Sequence, residues 1–176
     1  MAQFRRLAAI VTVATMLATS VHAVDLSPAA LTVARENARR LGLEDRVRFH
    51  EGDLLAPLSE RGVRVDLVVA NLPYLPSALI RSLPDEVAAW EPRLALDGGP
   101  DGMRLLRRLI GGVAGVLGPG GSLLMEIGEE QAGSVASLMA AEGFGGIRSR
   151  RDLNGVERYI GGQWPGPGAA VPGATG

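Results

Sequence analysis

A short apolar run that ends in a proline-containing loop places the strongest constraint on the fold of this chain. Residues 65–70 are mostly apolar and β-branched, and they are followed by Asn71, Leu72, Pro73 and Tyr74. Such a run, bounded by turn residues, is typical of a buried strand. Ligands of open α/β sheets bind beyond the carboxyl ends of strands, so Asn71 is expected where chemistry usually takes place. The alternative is a proline-rich turn without a function.

The chemistry of this loop suits an NH2 group. The side-chain oxygen of Asn71 and the backbone carbonyl of Leu72 are both hydrogen-bond acceptors. Two acceptors on one NH2 group orient its nitrogen, and positioning of that kind lowers a reaction barrier. The ring of Tyr74 can pack on a planar substrate group. Asn71 and Tyr74 are therefore candidate catalytic residues, within a candidate substrate-binding loop of Asn71, Leu72, Pro73 and Tyr74.

Predicted strands and helices alternate along the chain. Strands are predicted at residues 20–25, 46–50, 65–70, 122–127, 146–150 and 156–160. One helix is predicted to begin after the N-cap Ser27, with Pro28 at its first position, and to end at Gly42. A second is predicted from the apolar stripe at residues 106–117. This α/β pattern predicts a Rossmann-like parallel sheet flanked by helices, with an antiparallel hairpin around residues 153–155.

Acidic residues end two of the predicted strands. Asp25 is placed where a carboxylate of a nucleoside-binding α/β fold accepts hydrogen bonds from ribose hydroxyls. Asp53 follows the next strand, where it would meet an adenine ring or its amino group, and Leu54 would pack on that ring. A single strand-end Asp often only caps a turn. With Asn71, however, polar residues end three successive strands, and the candidate cofactor-binding residues are Asp25, Asp53, Leu54 and Asn71.

Composition limits the classes of function. The chain has 176 residues, of which 47% are apolar, enough for one domain with a sizeable core. Its formal net charge of −1 provides no basic field, so direct nucleic-acid binding is not expected. The absence of cysteine excludes disulfides and thiolate metal sites. His22 and His50 are isolated in the sequence and are expected to be structural or surface residues, so no metal site is predicted.

The N-terminal segment has two interpretations. Arg5 and Arg6 precede an apolar run at residues 7–18, and residues 21–23 resemble a cleavage site, which is the outline of a secretory signal peptide. Alternatively, residues 7–18 form a core helix. The β-branched residues 10–13 favour a strand, but a parallel crossover to residue 20 would be too short, so a helix is predicted. We expect a cytoplasmic protein without membrane association, with secretion as the minority alternative.

The C-terminal segment is mostly glycine, proline and alanine, with Trp164 as its only large residue. Such a composition buries too little apolar surface to order itself. The expected organisation is a partial catalytic domain at residues 1–161 and a flexible tail at residues 162–176.

Several short motifs occur in a defined order along the chain. They are Asp-Leu-Ser-Pro at 25–28, Gly-Asp at 52–53, Asn-Leu-Pro-Tyr at 71–74, Glu-Pro at 91–92 leading to Gly102, and Leu-Met-Glu-Ile-Gly at 124–128. In this order the chain resembles the release factor glutamine methyltransferases over roughly residues 7–162. The resemblance implies a class I S-adenosylmethionine-dependent enzyme that methylates the glutamine amide in the Gly-Gly-Gln motif of peptide chain release factors, without a metal.

The resemblance also implies residue roles and shows two departures. Asp25 would hold the cofactor ribose, Asp53 and Leu54 the adenine, and residues 71–74 the substrate glutamine. The family has proline where this chain has Leu72, which relaxes the loop but keeps the backbone carbonyl. The family also has a first strand that ends in a Gly-rich loop, preceded by a helical domain. No glycine occurs before Gly42, so an N-terminally truncated enzyme is expected.

Two other functions stay open at this point. A loop of this kind also suits the amino groups of adenine or guanine, which would make the chain a nucleic-acid methyltransferase. The near-neutral charge and the family-specific segment at residues 91–102 weigh against it. The third interpretation is a non-catalytic fragment, and the missing Gly-rich loop supports it.

Overall fold

The structure is a computed structural model that describes residues 11–14, 21–80 and 93–168. The strands of its seven-stranded sheet are β1 (Val11–Ala14), β2 (Val21–Asp25), β3 (Val47–Glu51), β4 (Val65–Asn71), β5 (Leu117–Glu126), β6 (Gly145–Arg151) and β7 (Glu157–Gln163). The helices are α1 (Pro28–Arg40), α2 (Ala56–Ser59), α3 (Ser77–Ile80), α4 (Arg104–Val113) and α5 (Ala132–Ala141), with a 3-10 turn at Arg93–Ala95. The strand order is β3-β2-β1-β4-β5-β7-β6.

The predicted α/β sheet with a terminal hairpin is confirmed. β2 pairs with β3 and β4 with β5 in parallel, whereas β7 pairs antiparallel with both β5 and β6. The turn between β6 and β7 is held by Asp152, whose Oδ1 accepts hydrogen bonds from the backbone N–H groups of Asn154 and Val156 at 2.9 and 3.0 Å. This is the side-chain-to-backbone turn that Asp favours.

The helix predicted at residues 7–18 is wrong where the structure describes that segment. Val11–Ala14 is a strand that lies between β2 and β4 and runs antiparallel to both. Without it, β2 and β4 would each leave a row of unpaired backbone groups in the middle of the sheet. The objection that the connection to β2 is too short holds only for a parallel crossover, and an antiparallel pair needs no crossover. The rest of residues 7–18 lies outside the described residues.

The direction of β1 bears on the expectation that a first strand is missing. The slot between β2 and β4 is filled, with Val11 opposite Val24 and Ala70, and Ala14 opposite Val21 and Leu67. The carboxyl end of β1 therefore lies beside the amino ends of its two neighbours. A loop that followed this strand would leave the sheet at the edge away from Asp25 and Asn71.

Helix α1 begins and ends where local residues predict. The Ser27 hydroxyl accepts a hydrogen bond from the Ala30 N–H at 3.3 Å, and Pro28 occupies the first turn. Gly42, just beyond the C-cap, has a φ of +66°, which glycine adopts at little cost. Leu31 and Ala38 are the buried residues of this helix.

Two predicted boundaries move for one shared reason. β5 starts at Leu117, which was expected to end the preceding helix, and β7 continues to Gln163 inside the expected tail. The Trp164 N–H donates to the Gly121 carbonyl at 2.8 Å, and the Gly120 N–H donates to the Trp164 carbonyl at 2.9 Å. These glycines pair with a segment distant in sequence, which composition does not reveal. The predicted flexible tail is therefore wrong in its first residues, and residues 169–176 lie outside the described residues.

The hydrophobic core lies between the sheet and helices α4 and α5. The predicted stripe on α4 is confirmed, because Leu106, Leu109, Ile110 and Val113 are buried. They pack in one cluster with β-strand residues such as Met125. Burying one such side chain contributes about 1.5–3 kcal/mol, so this helix anchors the sheet edge that carries the site. In the described part of the chain, no helix combines the length and apolar character needed to cross a membrane.

Candidate functional site

The carboxyl ends of four strands meet at one edge of the sheet. Asp25 lies opposite Glu51 at the ends of β2 and β3, and Asn71 lies opposite Glu126 at the ends of β4 and β5. A cavity of about 220 Å³ opens beside this edge. Five of the predicted site residues line it, namely Asp25, Asp53, Leu54, Leu72 and Pro73. Asn71 and Tyr74 are not among its lining residues.

Asp25 is the most unusual group in the cavity wall. It is only 4% exposed, and its Oδ1 accepts a hydrogen bond from the Ser27 N–H at 2.8 Å. Its Oδ2 is buried and has no hydrogen-bond partner among the described residues. Burial raises the pKa of Asp25, and the bond from the Ser27 backbone opposes that shift. A buried acceptor without a partner is costly, so this position suits a ligand that brings a hydroxyl or amine donor.

Asp53 also lines the cavity, and its carboxylate already has a hydrogen-bond partner. The Arg108 guanidinium on α4 donates to Asp53 Oδ2 at 2.7 Å, and both side chains are about half exposed. Exposed ion pairs of this kind contribute at most about 1 kcal/mol, so a ligand can displace Arg108. Arg108 was not a predicted site residue, and no local pattern marks it, because the pairing spans 55 positions in the sequence. Leu54, next to Asp53, has a φ of +51° and packs against the core.

The loop after β4 divides into a buried and an accessible part. Asn71 is exposed, and within the described residues its side chain has no hydrogen-bond partner. Leu72 is 3% exposed and belongs to the core cluster, and Pro73 is also buried. The chain therefore anchors this loop through Leu72 while it leaves the Asn71 amide available at the edge of the sheet.

Tyr74 is held at both ends by polar side chains. Its hydroxyl donates to Glu126 Oε1 at 3.0 Å, and its backbone carbonyl accepts from Gln131 Nε2 at 3.1 Å. Burial raises the pKa of Tyr74, the Glu126 carboxylate raises it further, and Arg158 opposes the shift. The hydroxyl therefore stays protonated at neutral pH and is a donor rather than a base. Glu126 and Gln131 were not predicted to be site residues, although Glu126 ends a strand at the same edge of the sheet.

A second segment braces the loop. The Leu75 N–H donates to the Leu96 carbonyl at 3.1 Å, and the Gly98 N–H donates to the Leu75 carbonyl at 2.9 Å. The Ser77 hydroxyl donates to Asp97 Oδ1 at 2.6 Å. Residues 96–102, predicted only as part of a long loop, therefore hold the chain that follows Tyr74.

His22 and His50 lie on neighbouring strands of the same sheet. Their rings stack with centroids 5.1 Å apart, and His22 Nδ1 lies 2.9 Å from His50 Nε2. Burial lowers the pKa of both, and Arg48 lowers each further. Within the described ranges, no three His, Cys, Asp or Glu side chains are arranged to hold a metal ion. Each histidine was predicted to be a structural or surface residue, and their direct contact was not predicted.

Comparisons with known proteins identify similar methyltransferases. A family model described as a methyltransferase domain matches residues 8–90. A release factor glutamine methyltransferase of Moorella thermoacetica is 56% identical over 123 residues, which cover 70% of this chain and 42% of that protein. One of Synechocystis sp. is 44% identical over 141 residues, covering 80% of this chain and 47% of that protein.

A solved structure shows the same fold at low identity. The ribosomal protein L11 methylase of Lactobacillus delbrueckii subsp. bulgaricus superposes with a TM-score of 0.55 at 23% identity, over 83% of this chain and 57% of that one. The chain spans about half the length of the curated relatives that it matches. Within that span, the chain is 56% and 44% identical to these two release factor glutamine methyltransferases. Over the part that it spans, the chain is therefore similar to the release factor glutamine methyltransferases.

Proposed function

We propose that this chain forms the methyl-transferring part of an enzyme that methylates the glutamine amide in the Gly-Gly-Gln motif of peptide chain release factors. The observation that carries the proposal concerns two side chains at one edge of the sheet. Neither the Asn71 amide nor the buried Oδ2 of Asp25 has a hydrogen-bond partner in the part of the chain that the structure describes. The Asn71 side chain suits a substrate amide, and the Asp25 carboxylate suits a nucleoside. Their common edge is where open α/β sheets bind ligands.

The cavity fits the nucleoside half of S-adenosylmethionine. Asp25 Oδ2 would accept a hydrogen bond from a ribose hydroxyl, which would satisfy a buried oxygen that no described residue contacts with a hydrogen bond. Leu54 and Leu26, both in the cavity wall, would pack on the faces of the adenine ring. Asp53 would accept a hydrogen bond from the adenine amino group once its hydrogen bond with Arg108 is broken. When bound, this cofactor supplies a methyl group on a sulfonium, which needs no metal to react.

Asn71 and Leu72 would act on the substrate. A glutamine amide nitrogen is a poor nucleophile because its lone pair is delocalised into the carbonyl. The Asn71 Oδ1 and the Leu72 carbonyl would accept its two N–H hydrogens and hold the nitrogen in one orientation. The nitrogen would form a bond to the methyl carbon as the carbon–sulfur bond of the sulfonium breaks, which would leave the sulfur as a neutral thioether. The nitrogen would then release one proton to solvent. Tyr74 does not take that proton, since its raised pKa keeps the hydroxyl protonated.

The test is methyl transfer to a release factor and to its Gly-Gly-Gln peptide, followed by mass spectrometry. Asn71→Ala is expected to lower turnover by about 100-fold or more, with cofactor affinity within a few-fold of wild type. Asn154→Ala is the matched control, because Asn154 is an exposed Asn in the hairpin turn away from the site. If Asn71→Ala retained turnover within a few-fold of wild type, Asn71 would not hold the substrate amide. No methyl transfer by a wild-type chain that binds the cofactor would refute the proposed function.

A further inference from the structure

We propose that Glu126 and Gln131 are positioning residues that hold Tyr74 by its two ends and thereby fix the loop that carries Asn71 and Leu72. This inference rests on the proposed function, because it concerns how the same loop is held ready for an amide. We call the three residues Tyr74, Glu126 and Gln131 the Tyr74 clamp.

The first half of the clamp joins two strand ends through a side chain. Asn71 and Glu126 are opposite each other in the β4–β5 ladder, and Tyr74 follows Asn71 by three positions. Its ring reaches back so that the hydroxyl donates to Glu126 Oε1 at 3.0 Å. Asn71 therefore lies between two attachments to β5, the backbone ladder before it and the Tyr74–Glu126 hydrogen bond after it. An acceptor that carries charge makes such a bond about twice as strong as a neutral one.

The second half of the clamp is a side-chain amide that serves two backbone groups. Gln131 Oε1 accepts from the Gly128 N–H at 2.8 Å, and Gln131 Nε2 donates to the Tyr74 carbonyl at 3.1 Å. Gln131 is the N-cap residue of α5, where Ser, Thr, Asp or Asn is usually preferred. Its side chain makes no capping bond to that helix and instead joins the β5–α5 turn to the loop after β4.

The surroundings leave the clamp little room to move. A Cβ at Gly128 would lie 3.2 Å from the Tyr74 ring, so the turn packs directly against the aromatic face or edge. A Cβ at Gly102 would overlap the Tyr74 carbonyl oxygen and lie 2.8 Å from Gln131 Nε2. Arg158 also influences Tyr74, because its charge lowers the pKa of the hydroxyl that Glu126 raises. Tyr74 is thus enclosed by backbone on two sides and by charges at its tip.

A loop held in this way matters for the chemistry because the substrate amide must meet two acceptors together. Each acceptor is on the chain immediately before Tyr74, and this chain lacks a proline at Leu72 that would restrict the backbone. The Tyr74 clamp supplies that restraint from outside the loop. Its loss should lower the turnover number more than it weakens cofactor binding, since the cavity residues are unchanged.

The first experiment tests the Tyr74 clamp through the pKa of Tyr74 and through hydrogen exchange, neither of which requires turnover. The chain has two tyrosines, so in a Tyr159→Phe background the absorbance of tyrosinate reports Tyr74 alone. Glu126→Gln removes the negative charge and keeps an acceptor, so it is expected to lower the pKa of Tyr74 towards its ordinary value. An unchanged titration of Tyr74 would overturn the Glu126 half of the clamp. Hydrogen exchange of residues 72–77 is expected to rise about tenfold in Gln131→Ala, and unchanged exchange would overturn the Gln131 half.

The second experiment measures kinetics on the Gly-Gly-Gln peptide. Tyr74→Phe and Glu126→Ala are each expected to lower kcat about tenfold with unchanged cofactor affinity, and the double variant is expected to be no worse than the poorer single variant. Glu126→Gln is expected to recover part of the loss because it retains an acceptor. Independent, multiplying losses would overturn the proposal. If the wild type transferred no methyl group while the titration and exchange changed as expected, the proposed function would fail and the clamp would stand.

Discussion

Gly102 lies so close to Tyr74 that a Cβ at this glycine would overlap the Tyr74 carbonyl oxygen. Its φ of +74° is also one that other residues rarely adopt. Gly102→Ala is therefore expected to lower the free energy of unfolding by about 2 kcal/mol or more, from backbone strain and from displacement of the loop. The measurement is urea unfolding, together with turnover.

A matched control separates the two contributions. Gly143 has a similar φ of +83°, and a Cβ there would meet nothing within 4 Å. Gly143→Ala is expected to lower the free energy of unfolding by only about 1 kcal/mol, from backbone strain alone, and to keep normal turnover. Equal losses of stability in the two variants would mean that the contact between Gly102 and Tyr74 is unimportant.

Leu72→Pro tests whether the side chain at this position matters beyond its carbonyl. Proline restores the pattern of the family and restricts the backbone of the loop. This restriction contributes about 0.4–1 kcal/mol to the free energy of unfolding. Leu72 is 3% exposed in the core, however, so the smaller ring leaves a cavity that costs about 1–3 kcal/mol. We expect a lower denaturation midpoint with preserved or raised turnover. Leu72→Ala, which creates a cavity without restricting the backbone, is the comparison, and a folded Leu72→Pro with large loss of turnover would contradict the expectation.

The stacked pair of His22 and His50 predicts a pH-dependent stability. Both have a pKa that burial lowers, and the charges of Arg48 and Arg61 act on the pair in the same direction. The unfolded chain therefore takes up protons more readily than the folded one. This contribution to stability is complete above the ordinary histidine pKa of about 6.5 and declines as the pH falls through it. Urea unfolding at about pH 8 and about pH 5.5 measures the difference.

His50→Gln is the control for this pH dependence. It keeps a polar side chain beside His22 but removes one of the two titrating rings and the repulsion between them. The decline between the two pH values is expected to be smaller in the variant than in the wild type. Identical declines would show that the pH dependence comes from groups other than this histidine pair.

The direction of β1 predicts how this chain distinguishes parts of the cofactor. Among the described residues, no loop follows β1 at the edge that carries Asp25, because the strand runs antiparallel to β2 and β4. The nucleoside half would meet Asp25, Asp53 and Leu54, but the methionine half would lack backbone amides from such a loop. We expect weak binding of S-adenosylmethionine, with adenosine bound within a few-fold of it, by isothermal titration calorimetry.

Asp25→Ala tests the nucleoside contact in the same experiment. It is expected to weaken adenosine about tenfold or more, whereas Asp66→Ala, which changes an exposed acid on β4, is expected to leave binding unchanged. Tight micromolar binding of S-adenosylmethionine by the wild type, with adenosine far weaker, would contradict the expected loss of contacts to the methionine half.

Local residues were sufficient to predict the elements whose limits depend on near neighbours. Ser27, Pro28 and Gly42 set the ends of α1, because caps and terminators act within a few positions. The strand that ends at Asn71 could also be located, since a short β-branched run followed by a proline loop has few alternatives. The positions of Asp25, Asp53 and Leu54 in one cavity wall follow from strand ends that share an edge.

Tertiary contacts determined the rest, because those elements are stabilised by residues far away in the sequence. Val11–Ala14 is a strand because two neighbouring strands offer it unpaired backbone on both sides. Its β-branched residues favour a strand as well, and the helix prediction rested only on a connection too short for a parallel crossover. Trp164 is ordered because its backbone pairs with glycines more than 40 positions earlier. The contacts of Tyr74 with Glu126 and Gln131 span 52 and 57 positions, and only the folded sheet brings those side chains within hydrogen-bond distance.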